Sequence, residues 1–185
     1  SIPTPVESNL ILYDISFPNG QSTVGYAGGS NQTWNGKGKI LKTTDQGSNW
    51  AVIWESEESG TGITSIYFVS AEHGFAGAMN GSVRITNNGG LDWSVVEIDA
   101  STNVGEVTDL EFYDAENGIA VTIWGGIYVT SNGGESWTVA ATNYIGGHDA
   151  AYADANTIFA VGNGQKIYKS MDKGMNWTEI FDGPG

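Results

Sequence analysis

Thr43-Thr44-Asp45-Gln46-Gly47-Ser48-Asn49-Trp50 decides the fold, because the chain repeats it three more times. The copies run from Thr86 to Trp93 (TNNGGLDW), Thr130 to Trp137 (TSNGGESW) and Ser170 to Trp177 (SMDKGMNW). Each reads Ser or Thr, any residue, Asp or Asn, any residue, Gly, two residues, Trp. The side chains of Asp45, Asn88, Asn132 and Asp172 are suited to bond the backbone just ahead and hold a turn. Gly47, Gly90, Gly134 and Gly174 supply the positive φ that such a turn needs. The Ser or Thr hydroxyl bonds across the loop. Trp50, Trp93, Trp137 and Trp177 each lay a large apolar face on the sheet. All these residues are expected to tie hairpins shut rather than to do chemistry.

Outward from the boxes, the tryptophans recur about every 40 residues, a period of blades or stacked repeats. Before the second box come Thr64–Val69, a turn over Ser70–Gly74, Phe75–Ala78, the hairpin signal Asn80-Gly81, and Ser82–Thr86. Trp93–Ile98 follows the box. Four strands per repeat make a propeller blade. The third repeat aligns through Thr108–Phe112, Asn117–Val121 and Gly126–Thr130, and the fourth through His148–Tyr152, Ile158–Val161 and Lys166–Lys169. The first begins at Tyr13–Phe17, and its hairpin is enlarged over Ser30–Gly38. The expectation is an all-β chain: a single β-propeller domain over 1–185, with four-stranded antiparallel blades at about 10–58, 59–102, 103–144 and 145–185. Neither a long helix nor an interdomain linker is expected. Four blades leave three options: a small closed ring, a fragment of a larger ring, or a ring completed by a second chain. An open pair of faces would expose apolar surface.

Composition narrows the partners. The chain carries 21 acidic and 7 basic residues, a net charge of −14. Phosphate recognition needs clustered Lys and Arg, so nucleic acid is not an expected partner, nor is an anionic membrane surface. There is no cysteine, which excludes disulfides and thiolate metal sites. No stretch approaches the roughly 20 apolar residues of a membrane span, so direct insertion is not expected. The start, Ser1-Ile2-Pro3-Thr4-Pro5, reads either as a mature end left by processing or as an artificial boundary.

The ordered repeat, from the first strand through Asn-Gly to the box, resembles the Asp-box (BNR-repeat) propellers over about residues 10–180. Its blades are most similar to those of the photosystem II assembly and stability factor family. They also resemble those of sortilin-type receptors, sialidases and xyloglucan-cleaving hydrolases. The resemblance implies the propeller fold and leaves function open, since one fold hosts many functions. A sialidase would need an arginine cluster on the substrate carboxylate, and Arg84 is the only arginine. The assembly-factor group is associated with a basic binding surface, against which the acidic balance argues.

Asp14, Asp109 and Asp149, with Ser65 at the same repeat position, begin the first strand of each blade. In a propeller that strand is innermost, so these side chains are placed to ring the central channel. Three readings follow: structural bonds to backbone amides of the neighbouring blade, oxygen ligands for a cation such as calcium, or paired carboxylates for glycoside hydrolysis. The structural reading is favoured, because Asp recurs there with the repeat. No cofactor and no metal are therefore expected, calcium being the weak alternative. His73 is expected in an exposed turn, and His148 beside Asp149 at the channel rim. Three loop aromatics lie outside the boxes: Trp34, Trp124 and Tyr144. They suit stacking on sugar rings, anchoring a protein partner, or capping a neighbouring blade.

The function expected is a non-catalytic binding propeller, secreted or periplasmic, presenting loops to a protein or glycan. Homo-oligomerisation or additional blades would complete it. The alternatives are a polysaccharide-cleaving hydrolase module using Asp14 with Asp109 or Asp149, and an assembly factor for a membrane complex.

Overall fold

The computed structural model describes residues 9–18, 20, 23–31, 35–99, 104–140, 147–162 and 164–183. These form four antiparallel four-stranded sheets with no helix among the described residues, a four-bladed β-propeller. The first blade comprises β1 (Ile11–Ser16), β2 (Gly25–Ser30), β3 (Gly38–Thr43) and β4 (Ala51–Glu55). The second comprises β5 (Ile63–Phe68), β6 (Gly74–Ala78), β7 (Ser82–Thr86) and β8 (Ser94–Glu97). The third comprises β9 (Val107–Phe112), β10 (Gly118–Thr122), β11 (Ile127–Thr130) and β12 (Thr138–Val139). The fourth comprises β13 (Gly147–Tyr152), β14 (Ile158–Gly162), β15 (Lys166–Ser170) and β16 (Thr178–Asp182).

The first strands of successive blades pack on one another: β1 on β5, β5 on β9, β9 on β13. Each carries a β-bulge, which passes over Tyr13, Thr64, Thr108 and His148 in turn. A bulge re-aims the side chain it frees. Thr64 Oγ1 thereby donates to the carbonyl of Val107 in the next blade (2.6 Å), and Thr108 Oγ1 to that of Gly147 (3.3 Å).

The core lies between blades. Period-two alternation sends one face of each sheet forward and one back. Forward-facing Tyr26 stacks on Phe68 of the second blade, centroids 3.5 Å apart and planes 1° from parallel. Phe75 repeats this against Phe112 of the third, at 3.6 Å and 7°. The corresponding pair in the last joint, Ile119 and Tyr152, packs in one apolar cluster. Each joint also sets a branched side chain against a glycine. A Cβ on Gly28 would meet Ile63 Cγ2 at 2.5 Å, and one on Gly77 would meet Val107 Cγ1 at 2.6 Å. The third joint swaps the partners: a Cβ on Gly147 would lie 1.8 Å from Val121 Cγ1. Large against small is how a close-packed interior keeps its density.

Candidate functional site

The boxes close their hairpins by one hydrogen-bond pattern. Thr43 Oγ1 donates to Asp45 Oδ1 at 2.9 Å and accepts from the Gly47 amide at 3.0 Å. Asp45 Oδ1 accepts the Asn49 amide at 2.8 Å, and Oδ2 the Asn49 side-chain amide at 2.7 Å. The Gly90, Gly134 and Gly174 amides repeat the bond to Thr86, Thr130 and Ser170. Gly47, Gly90, Gly134 and Gly174 all sit at φ between 78° and 86°. The residue before each is left-handed too: Gly89 and Gly133, but also Gln46 at 62° and Lys173 at 60°. That fourth position is a feature sequence reasoning missed. Its amide turns back onto the loop between the first two strands, as Gln46 to the Thr23 carbonyl (3.1 Å) and Lys173 to that of Asn156 (3.0 Å). Trp93 and Trp177 donate Nε1 to the carbonyls of Gly90 and Gly174.

The channel-side residues act as latches between blades. Asp14 Oδ2 accepts the amide of Ile66 at 2.7 Å and the hydroxyl of Ser65 at 3.2 Å. Ser65 Oγ accepts the Leu110 amide at 3.0 Å. Asp109 Oδ2 accepts the Ala150 amide at 2.9 Å. Asp149, at the same position of the last blade, is exposed and contacts the Asp109 carboxyl. Burial pushes the Asp109 carboxyl up, and Asp149 adds to the rise. Glu111, unremarked in the sequence, lies two residues on; burial, then the charges of Asp149 and Asp14, push it to about 7. Among the described residues no group of three or more His, Asp or Glu side chains is arranged to hold a metal ion.

Of the loop aromatics, Trp34 and Tyr144 lie outside the described residues. Trp124 is 57% exposed at the tip of the β10–β11 hairpin, its ring 3.2 Å from where a Cβ on Gly105 would sit. His148 is exposed beside Asp149. His73 is half-buried rather than exposed, a correction to the turn reading. Its ring meets Phe75 edge-on, centroids 4.8 Å apart, and Nδ1 bonds Asn87 Oδ1. Nε2 is buried and has no hydrogen-bond partner among the described residues.

His73 lines a trough of about 430 Å³ between the second and third blades, on the box side, with Asn87, Glu116, Asn132 and Glu135. It continues into a second hollow of about 290 Å³ lined by Tyr67, Phe112, Tyr113 and Asp114. Tyr113 is half-exposed there. Sequence reasoning missed this trough because its walls come from residues about 45 apart on two blades. Two of the cations, Arg84 and Lys39, are buried, and two more are paired or bonded nearer the surface. Arg84 is 5% exposed, its guanidinium 5.0 Å over the Trp54 ring of the first blade. Lys39 pairs with Glu55 at 3.4 Å, Lys166 with Glu179 at 2.7 Å, and Lys42 donates to the Gly89 carbonyl of the next blade.

Comparison with known proteins agrees with this architecture. The family model described as photosynthesis system II assembly factor YCF48 matches residues 2–148. The chain belongs to that family. Among solved structures, YCF48 bound to D1 peptide is similar at 15% identity and TM-score 0.56, over 97% of this chain and 88% of that one. The GH74 enzyme of Niastella koreensis is similar at 17% identity and TM-score 0.72, over 91% of this chain and 30% of that one. The computationally designed Ika4 protein is similar at 12% identity and TM-score 0.65, over 89% of this chain and 92% of that one. These likenesses are of fold. This chain spans less than a third of the GH74 enzyme's length. No curated protein sequence matches the chain.

Proposed function

We propose that this chain is an assembly-factor propeller, without catalytic activity, that captures an extended segment of a partner protein in the trough between its second and third blades. The observation that carries this is the trough itself, about 430 Å³ between two blades, with the half-exposed ring of Tyr113 in its continuation. Around it stand Asn87, Asn132 and Glu116 for further polar contacts and Tyr113 as an aromatic anchor. The volume falls in the range of about 300–1,000 Å³ usual for ligand sites. Family membership supports the reading, as does a relative captured with a peptide. An extracytoplasmic location, expected from the sequence, is part of the same proposal.

A fluorescently labelled D1 peptide is the first probe, followed by polarisation. Saturable binding is expected, weakened about tenfold by Tyr113→Ala or His73→Ala, in line with loss of a hot-spot contact. Trp124→Ala, at the opposite end of the blades, leaves it unchanged. Absence of binding, or equal binding by all three variants, would overturn the proposal.

One observation favours a second reading, a hydrolase. Glu111, pushed to about 7 beside the Asp109 and Asp149 carboxyls, has the character of a general acid in a carboxyl pair. New reducing ends from a polysaccharide panel, abolished by Glu111→Gln, would establish it. A panel that yields none removes it.

A further inference from the structure

The trough between the second and third blades has a counterpart one blade on. A hollow of about 220 Å³ lies between the third and fourth blades, again on the box side. Val129, Thr138, Asp172 and Met175 line it at the repeat positions that Ile85, Ser94, Asn132 and Glu135 hold in the first trough. The two share Ser131, an exposed residue of the third blade's box, so that loop is the divide between them. Their aromatic rings also meet. Tyr113 lines the continuation of the first trough, and its centroid lies 5.8 Å from that of Tyr152, which lines the second. The box side therefore offers one path across two joints, each walled by two blades of this chain.

The two seats differ in chemistry, because the box fixes its backbone and leaves these side chains free to vary. In the first, Glu116 and Glu135 are exposed, and neither forms an ion pair among the described residues. The half-exposed Tyr113 ring adds a π-face that attracts a cation. In the second, Met175 stands at the place of Glu135 and is 43% exposed, with the half-buried Val129 and Tyr152 beside it. The charged residues there are already engaged. Asp172 accepts N–H bonds from Asn176 within its box, and the charge of Lys173 acts on Asp114. A thioether on an unbranched chain adapts to apolar groups of varied shape.

We propose that the captured segment crosses both joints and is selected by two of its side chains, a cationic one held by Glu116 and Glu135 and a bulky apolar one seated on Met175, Val129 and Tyr152. This rests on the trough being the peptide site, and it adds the class of sequence the site takes. An extended chain advances about 3.3 Å per residue and points alternate side chains to one side, so a cationic and an apolar residue a few positions apart reach the two seats together. Charge complementarity speeds encounter and fixes register, and burial of the apolar side chain adds affinity. A cationic segment also suits a chain of net charge −14.

An array of labelled peptides of about twelve residues on a Gly-Ser-Thr background, with Arg and Leu placed roughly two to six residues apart, tests this by polarisation. Peptides carrying both are expected to bind about tenfold more tightly than those with Arg alone or Leu alone, and Glu in place of Arg abolishes binding. The seats are separable. Glu116→Gln with Glu135→Gln removes the preference for Arg and leaves that for Leu, whereas Met175→Glu removes the preference for Leu and leaves that for Arg. Added salt weakens the Arg preference alone. All three positions are exposed, so the variants keep the far-ultraviolet circular dichroism of the parent. Equal binding across the array, with the D1 peptide still bound in a Tyr113-dependent way, overturns the two-seat selection and leaves the trough reading standing. An Arg and Leu preference that survives both sets of variants overturns the placement of the seats. Binding of neither the array nor the D1 peptide overturns both.

Discussion

Glu111→Gln is expected to stabilise the protein at neutral pH, although it removes a charge from a folded, acidic chain. Burial between the second and fourth blades, together with the charges of Asp149 and Asp14, raises the Glu111 carboxyl from its ordinary 4.5 to about 7. The sign follows from proton linkage. Between 4.5 and about 7 the folded state holds this proton and the unfolded state has lost it, so stability falls as pH rises through that window. At 1.36 kcal/mol per pH unit, the rise corresponds to about 3 kcal/mol at full ionisation, and solvent access reduces the expected gain to about 1–3 kcal/mol. Glutamine keeps the shape and cannot ionise. Asp45, Asp154 and Asp172 have carboxyls held below 3.8, so their contribution is constant across this window. Urea denaturation followed by tryptophan fluorescence, below 4.5 and above about 7, separates the two groups. The parent should lose stability toward the higher pH, and Glu111→Gln should lose distinctly less; Asp109, shifted the same way, retains the remainder. Equal pH dependence in parent and variant, or a variant less stable than the parent above pH 7, would refute the reasoning.

Three other changes test the scaffold. Lys173→Gly relieves a left-handed φ of 60° while keeping the amide bond to Asn156, and should raise stability by about 1 kcal/mol, a rise of about 2–4 °C in melting temperature; an unchanged or lower midpoint would count against strain there. Ser65→Ala leaves the buried amide of Leu110 without its acceptor, and should cost about 1–3 kcal/mol in a denaturant titration and speed hydrogen exchange at that amide. Asp172→Asn removes a carboxyl that Asn176, the adjacent backbone and Ser170 hold below 3.8. Its stabilisation is present above 3.8 and lost as pH falls through the folded value, so the variant's acid-unfolding curve should be shallower than the parent's.

The repeat was legible because each box needs the same backbone at the same place, and only Gly and short polar residues satisfy it. Even there, Gln46 and Lys173 hid a second left-handed residue, since neither side chain announces a positive φ. The latch role of Asp14 and Asp109 was legible as one of three readings, and the amides of Ile66 and Ala150 give it geometry. Glu111 was not legible. Its counterparts, Ser16, Tyr67 and Ala151, share no chemistry, so only packing shows that it points at Asp149 and Asp14. The trough escaped for a related reason: His73 and Asn87 belong to one blade and Glu116 and Asn132 to the next, and a pattern within one repeat cannot show what two repeats enclose.

The acidic balance weighs less against an assembly role than composition suggests. Asp45 and Asp172 accept backbone and asparagine N–H bonds inside the boxes. Asp114 and Asp154 each accept two amides in the turn between the first two strands of their blades. Asp14 and Asp109 take amides across the joints. A propeller of short strands and tight turns has many loop amides without a ladder partner, and a short carboxylate accepts two of them, as the Ser70 hydroxyl does at the same turn of the second blade. Part of the negative charge is thus engaged in the turns and joints of the repeat. On the proposed function, recognition falls instead to side chains outside the repeat pattern, and in the trough between the second and third blades those include the half-buried His73 and the half-exposed Tyr113.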